Sequence, residues 1–235
     1  MIDFHTHILP GMDDGSRDLN MTLSMLRSEK EQGVDTVVFT PHFYADTDSP
    51  EDFLIRRSGA YELTTNAIWD MDVPRLLLGA EVAYFPGIGR ADKVKTLCIE
   101  DSRMLLLEMP FSNWTRDVYR DVEDLIYLQR LQVILAHIER FYSYQKDKTV
   151  WNSVLKLPVV SQINTGSFLK WNTRRFDYKF IKNGHRVVLG SDAHNISSRK
   201  VNIYEGRKFL KKKFGEEILS NIDLLGQKLL NDDSP

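Results

Sequence analysis

The sequence predicts an α/β fold, a TIM-like barrel of seven βα units, (β/α)7, in a single domain over residues 1–235. Three observations carry this expectation. Short apolar, β-branched runs recur along the chain, each ending in a polar residue or one of a metal-binding type. Helical spacings of apolar residues mark stretches between them. Most of the later runs start about 28 residues apart, the size of one βα unit.

The runs are Ile2–His7, Thr36–Thr40 (followed by Pro41 and His42), Arg75–Glu81, Met104–Glu108, Gln132–His137, Val159–Asn164 and Arg186–Asp192. Their nearly unbroken apolar character suits strands buried on both faces, as in a parallel sheet. Leu19, Leu23 and Leu26 mark one face of a first helix that stops at Gly33. Ser49-Pro50-Glu51 reads as an N-cap, a first-turn proline and an acidic first turn. Val118, Val122, Leu125 and Gln129 keep a helical spacing, as do Ile218, Ile222, Leu225 and Leu229 in a final helix at about 215–231. An open doubly wound sheet is the rival architecture. It is less favoured because no glycine-rich phosphate loop follows the first run.

A βα barrel carries its active site at the carboxyl ends of its strands. His7, His42, Glu81, Glu108, His137, Asp192 and His194 all fall there. Singly, each is best read as an isolated polar residue; repeated strand after strand, they point to one mouth. His5-Thr6-His7 puts two imidazoles on one face of a strand, able to reach one cation. Asp192-Ala193-His194 repeats that spacing on the last strand, which neighbours the first in a barrel. Two such pairs, with Glu81 and Glu108, suggest several metal ions rather than one. Asp13-Asp14-Gly15 alone reads as an Asp-Gly turn. His185 precedes the last strand, at the far end of the barrel, and takes no catalytic role.

Composition removes other classes. With 42% hydrophobic and 27% charged residues the chain has an ordinary globular composition, and its net charge of −2 lacks a nucleic-acid binder's basic footprint. No apolar run is long enough to insert in a membrane. One cysteine, Cys98, excludes an internal disulfide framework and a thiolate metal cluster. The start MIDFHTH has neither the basic nor the apolar region of a secretory signal, so a cytoplasmic location is expected.

The motifs DFHTHILPGMDDG, TPH, the run ending in Glu81, LLLEMPF, LAHIER and GSDAHN occur in order between Ile2 and about Arg199. Together they resemble the PHP (polymerase and histidinol phosphatase) superfamily. The likeness is closer to the CpsB/CapC-type manganese-dependent protein-tyrosine phosphatases of bacterial capsule and exopolysaccharide operons. QINTGS, from Gln162 to Ser167, shares it.

The resemblance implies a distorted barrel, the PHP fold, with a trinuclear site. His5, His7, Glu81 and Asp192 would hold one ion. Glu81 would bridge to a second, held also by Glu108 and His137. Asp14, His42 and His194 would hold a third. Arg140 and Arg199 match the family's phosphate-binding arginines. Ile138 stands where the family usually carries proline. The resemblance favours Mn²⁺; nitrogen and oxygen donors without thiolate also admit iron, zinc, cobalt or magnesium. It further implies a phosphotyrosine protein substrate, the tail of an autophosphorylating bacterial tyrosine kinase.

Charge supports phosphate chemistry. Three divalent ions outweigh the four ligand carboxylates, so the loaded site needs an anionic substrate. The ions would acidify a bridging water, and hydroxide would attack phosphorus in line while the arginines clamp the equatorial oxygens. Cysteine-based tyrosine phosphatases carry a C-x5-R loop; Arg103 follows Cys98 one residue too soon, so Cys98 reads as packing. Competing readings are a small-molecule PHP phosphoesterase such as a histidinol-phosphate phosphatase, a polymerase-associated nuclease module, and a metal-stabilised binding protein.

Overall fold

The computed structural model describes residues 1–100 and 102–231; residue 101 and the last four residues of the expected domain lie outside it. Along the chain, β1 (Ile2–Thr6) leads to α1 (Leu19–Glu31), β2 (Thr36–Phe39), β3 (His42–Phe43) and α2 (Pro50–Ala67). Next come β4 (Arg75–Leu78), β5 (Glu81–Ala83), β6 (Met104–Glu108), α3 (Arg116–Tyr127) and β7 (Gln132–Leu135). Then follow α4 (Lys148–Val154), β8 (Val160–Asn164), α5 (Trp171–Lys182), β9 (Val187–Gly190), α6 (Ile203–Phe214) and α7 (Glu216–Asn231).

The strands form two parallel sheets, ordered β1-β2-β4 and β3-β5-β6-β7-β8-β9. Two of the seven expected strands are therefore each divided in two. Pro41 has no amide hydrogen and ends the ladder between β2 and β3. Gly79 and Ala80 separate β4 from β5. The chain crosses both breaks in step: the Gly79 amide donates to the Phe39 carbonyl (2.8 Å) and the Glu81 amide to the Pro41 carbonyl (3.0 Å). Between the last strand and the first runs one parallel bridge, Thr6 to Ala193. It is flanked by the His7 amide donating to the Ala193 carbonyl (2.9 Å) and the Asp192 amide donating to that of His5 (2.8 Å).

Both sheet faces are buried, as the apolar runs require. Phe4, Val38, Met104, Leu106, Ile134, Val160 and Val188 form one core on one face, onto which Leu229 of α7 packs. Alternate residues, among them Leu105, Leu107, Val133, Leu135 and Leu189, meet the helices on the other. Gly226 lets α7 approach β1 closely, since a Cβ there would lie 2.9 Å from the Phe4 ring. Helix starts follow the local chemistry: Asp18, Ser49 and Thr115 each accept from an amide of the first turn of α1, α2 and α3. The final helix begins one residue inside its expected span. Cys98 is buried in the outer core, and burial pushes its thiol up to about 12.

Candidate metal centre

β1 and β2 pair with a register shift between Asp3 and Thr6. The extra residue in β1 changes which side chains share a face. Phe4 enters the apolar core, while His5 and His7 both turn to the polar cluster beyond it. His5 Nε2 lies 3.1 Å from Glu81 Oε2 and 3.8 Å from Asp192 Oδ1. His7 Nε2 lies 3.3 Å and 3.5 Å from the same two atoms. Four donors from β1, the residue that follows it, β5 and the segment after β9 thus meet.

Glu81 also carries the second group. Its Oε1 is 2.8 Å from His137 Nε2, which is 3.3 Å from Glu108 Oε1. In the third group, Asp14 Oδ1 lies 3.6 Å from His42 Nε2 and 3.3 Å from His194 Nε2. All nine expected ligands therefore gather at one mouth. The groupings overlap more than the resemblance implies. His7 joins Asp14, His42 and His194 within one possible ligand set, and His42 joins Glu81 and Glu108 in another.

The donor set suits cations. Glu81 Oε2 and His42 Nδ1 lie 2.9 Å apart, yet both are buried without a hydrogen-bond partner, as are His137 Nδ1 and His194 Nε2. Bare lone pairs on Glu81 Oε2, His42 Nδ1 and His194 Nε2 are what a metal ion would fill. Partners behind the imidazoles aim them. His5 Nδ1 pairs with Gln162 Oε1 (2.9 Å) and His7 Nδ1 with Asp13 Oδ2 (2.7 Å), which frees each Nε2 as a ligand. The Gln162 carbonyl also accepts the His137 amide (2.7 Å), and its amide group donates to Asn164, which in turn donates to Asp192.

Sequence reasoning missed Asp13, Gln162 and Asn164 as partners of the ligands. Gln162 and Asn164 had a signal: two amides on one face of an apolar strand. Asp13 had none beyond its neighbour. The backbone bends where β7 and β9 deliver their ligands. His137 and Asp192 lie two residues past these strands with φ of 26° and 53°, conformations unusual for side-chain-bearing residues. Ile138 is buried at the first residue of the following 3₁₀ turn, and that turn still carries Arg140 to Asp192.

Charge pairing overrides burial here. Burial alone would raise Glu81, but His5 and the other imidazoles hold its carboxyl well below the usual range. Asp192 is likewise held low against its burial by His5, Arg140 and His7. Burial would lower His7, yet bonding to Asp13 and Glu81 raises it to about 10; Glu108 and Glu81 raise His137 to about 9 in the same way. His194 is pulled down to about 4, by burial and by cationic His7.

The two arginines border this cluster. Arg140 pairs with Asp192 Oδ2; Arg199 reaches Asp192 Oδ1 at 2.9 Å and Asp14 Oδ2 at 3.5 Å. Their side chains remain 37% and 38% exposed, so both can meet a ligand arriving from solvent. They line a groove of about 440 Å³ with Asn164, Ser167 and Asn202. His185 lies apart, stacked on Phe180.

Fold and donors together define an α/β protein with parallel sheets and a candidate polynuclear metal centre. The family model for capsular polysaccharide synthesis, CpsB/CapC, matches residues 1–229, and the chain belongs to that family. Tyrosine-protein phosphatase YwqE of Bacillus subtilis is 29% identical over 93% of this chain and 87% of its own. A crystal structure from work on YwqE and Streptococcus pneumoniae CpsB, described as metal-dependent tyrosine phosphatases, superposes with a TM-score of 0.87 at 26% identity. It covers 99% of this chain and 95% of that one. Histidinol phosphate phosphatase of Lactococcus lactis shares the fold at a TM-score of 0.54 and 13% identity, over 91% and 93% of the two chains.

Proposed function

We propose that this protein is a metal-dependent protein-tyrosine phosphatase. The observation that carries the reading is one mouth joining nine nitrogen and oxygen donors to two half-exposed arginines, in a chain of this family. His5, His7, Glu81 and Asp192 would hold one ion; Glu81, Glu108 and His137 would hold a second; Asp14, His42 and His194 would hold a third. We assign three Mn²⁺ ions. Divalent ions bound there supply charge neutralisation and acidify water for attack on phosphorus.

The chain's own groups do the rest. Arg140 and Arg199 turn their planar forks to the phosphoryl oxygens and orient the ester for in-line displacement. Asp13 and Gln162 keep the histidines in the ligating tautomer. The two sheets and the Thr6–Ala193 bridge support a distorted, closed (β/α)7 barrel in one domain. We assign the protein to the cytoplasm and its substrate as the phosphotyrosine tail of a bacterial tyrosine kinase controlling capsule or exopolysaccharide synthesis. No helix among the described residues is long and apolar enough to cross a membrane.

The test is a substrate panel on chelated and Mn²⁺-reloaded protein: a phosphotyrosyl peptide, histidinol phosphate and a DNA oligonucleotide. Turnover of the peptide that is lost on chelation and regained with Mn²⁺ is expected. Preference for histidinol phosphate would move the protein to the small-molecule phosphoesterases.

A further inference from the structure

Two exposed aromatic groups back two of the imidazoles that meet Glu81. His42 Nδ1 and His137 Nε2 approach opposite oxygens of that carboxylate, at 2.9 Å and 2.8 Å. Each imidazole is backed by a surface ring. Tyr44 stacks on His42 with centroids 5.2 Å apart and planes at 29°. Phe111 stacks on His137 at 6.1 Å and 24°. Phe111 rests on buried Phe141 (4.8 Å) and meets Tyr144 edge to face (5.8 Å, 72°). Tyr44, Phe111 and Tyr144 are nevertheless 42%, 45% and 44% exposed.

Nothing in the cluster of donors needs these rings. Apolar surface left facing water beside a strongly polar mouth marks a place where something apolar docks. Both arginines pair with Asp192, and the rings back two imidazoles that meet Glu81, so a phosphoryl group gripped by the arginines would sit beside exposed aromatic surface at the same mouth. We infer that Phe111 and Tyr144 on one side and Tyr44 on the other form the slot that receives the aryl ring of the leaving group, selecting aryl over alkyl phosphomonoesters. This rests on the phosphatase reading and deepens it. Flat rings fit because offset-stacked and edge-to-face contacts favour an aromatic guest beyond its area. A seryl side chain would leave the slot wet and gain only the phosphate contacts.

The test is calorimetric binding of benzylphosphonate and methylphosphonate to Mn²⁺-loaded protein, with phosphotyrosyl-peptide kinetics alongside. Wild type should bind the benzyl compound more tightly. Phe111→Ala and Tyr44→Ala should each weaken it about tenfold, with the change in peptide turnover appearing mainly in KM. Methylphosphonate affinity and metal content report on the phosphate locus and should move far less. Phe111→Tyr, which keeps the ring, should restore the preference that Phe111→Leu loses. Equal weakening of both phosphonates, or an unchanged preference in the Phe111→Ala/Tyr44→Ala double variant, overturns the slot. A wild type that turns over no phosphotyrosyl peptide overturns instead the phosphatase reading beneath it.

Discussion

Buried acids behave oppositely in two regions of this molecule. At the mouth, Glu81 and Asp192 are buried yet held ionised. Elsewhere, Asp3 and Glu29 are equally buried, but burial lifts Asp3 to about 6, and burial with the neighbouring Asp3 charge lifts Glu29 well above the carboxylate range. Asp177 is lifted to about 8 by burial and by Glu139. Desolvation acts on all five; cationic neighbours act only at the mouth. Cationic imidazoles and Arg140 keep two carboxylates charged, and a metal ion would displace the imidazole protons and take over that role. Glu29 and Asp177 avoid a buried charge by holding a proton, and Asp3 is shifted in the same direction without reaching neutral pH.

Removing the hub of the ionised region should have the largest effect. Glu81→Ala deletes the acceptor shared by His5, His7, His42 and His137. We expect a loss of at least about 1000-fold in phosphotyrosyl-peptide turnover, on the scale of one essential electrostatic group. Bound metal should fall with it while most of the fold survives. Full metal content and full rate together would overturn the proposal that it bridges two ions.

Arg199→Lys keeps the charge but not the fork. If Arg199 grips the phosphoryl group bidentately, as proposed, losing that contact should cost about 2–4 kcal/mol, roughly 30- to 1000-fold in rate. Metal content should hold, because Arg199 is not a ligand. Wild-type kcat/KM in this variant and in Arg199→Ala would return the residue to the surface.

Gly190→Ala attacks the same region through packing. A Cβ there would lie 2.6 Å from His5 Cβ and 2.8 Å from Gln162 Nε2. Overpacking of this kind costs about 1–3 kcal/mol, so denaturant unfolding should shift by that amount. Metal affinity should weaken as His5 is displaced. A variant with unchanged midpoint and affinity would show that β9 yields freely.

Asp177→Asn sharpens the comparison from the protonated side. With a folded pKa near 8, above its ordinary 3.8, Asp177 contributes stability that is full below about pH 4. That contribution drains as pH rises through 8. Wild-type stability should therefore fall relative to Asp177→Asn across pH 4–8, at most by about 1.4 kcal/mol per pH unit. Parallel melting profiles for the two proteins would mean that the buried acid is charged after all. The smallest effect is expected from Cys98→Ser: its thiol is buried and protonated, so kcat should stay at the wild-type value. A dead but folded variant would refute the metal-centred reading.

Most of the site was legible because donors that serve one mouth must sit at strand ends, and strand ends are visible in a run of apolar residues. His5 and His7, Glu81, Glu108 and the Asp192–His194 pair could be read this way. Helices α4, α5 and α6 left a weaker trace. In α5 only Asp177, Phe180 and Ile181 are buried, too few to set a clear apolar period.

By itself, then, the sequence determined which residue types end each strand and which faces of the sheet must be buried, since both follow from local alternation and hydrophobicity. Tertiary structure alone decided the rest. The register shift in β1 that sends Phe4 inward and His5 to the cluster depends on pairing with β2. The breaks at Pro41 and Gly79 take their meaning from which neighbour each half finds. Gln162 and Asn164 became partners of the expected ligands only when other segments closed on them, because a hydrogen bond between residues 157 apart has no local signature; Asp13 reaches His7 within its own loop.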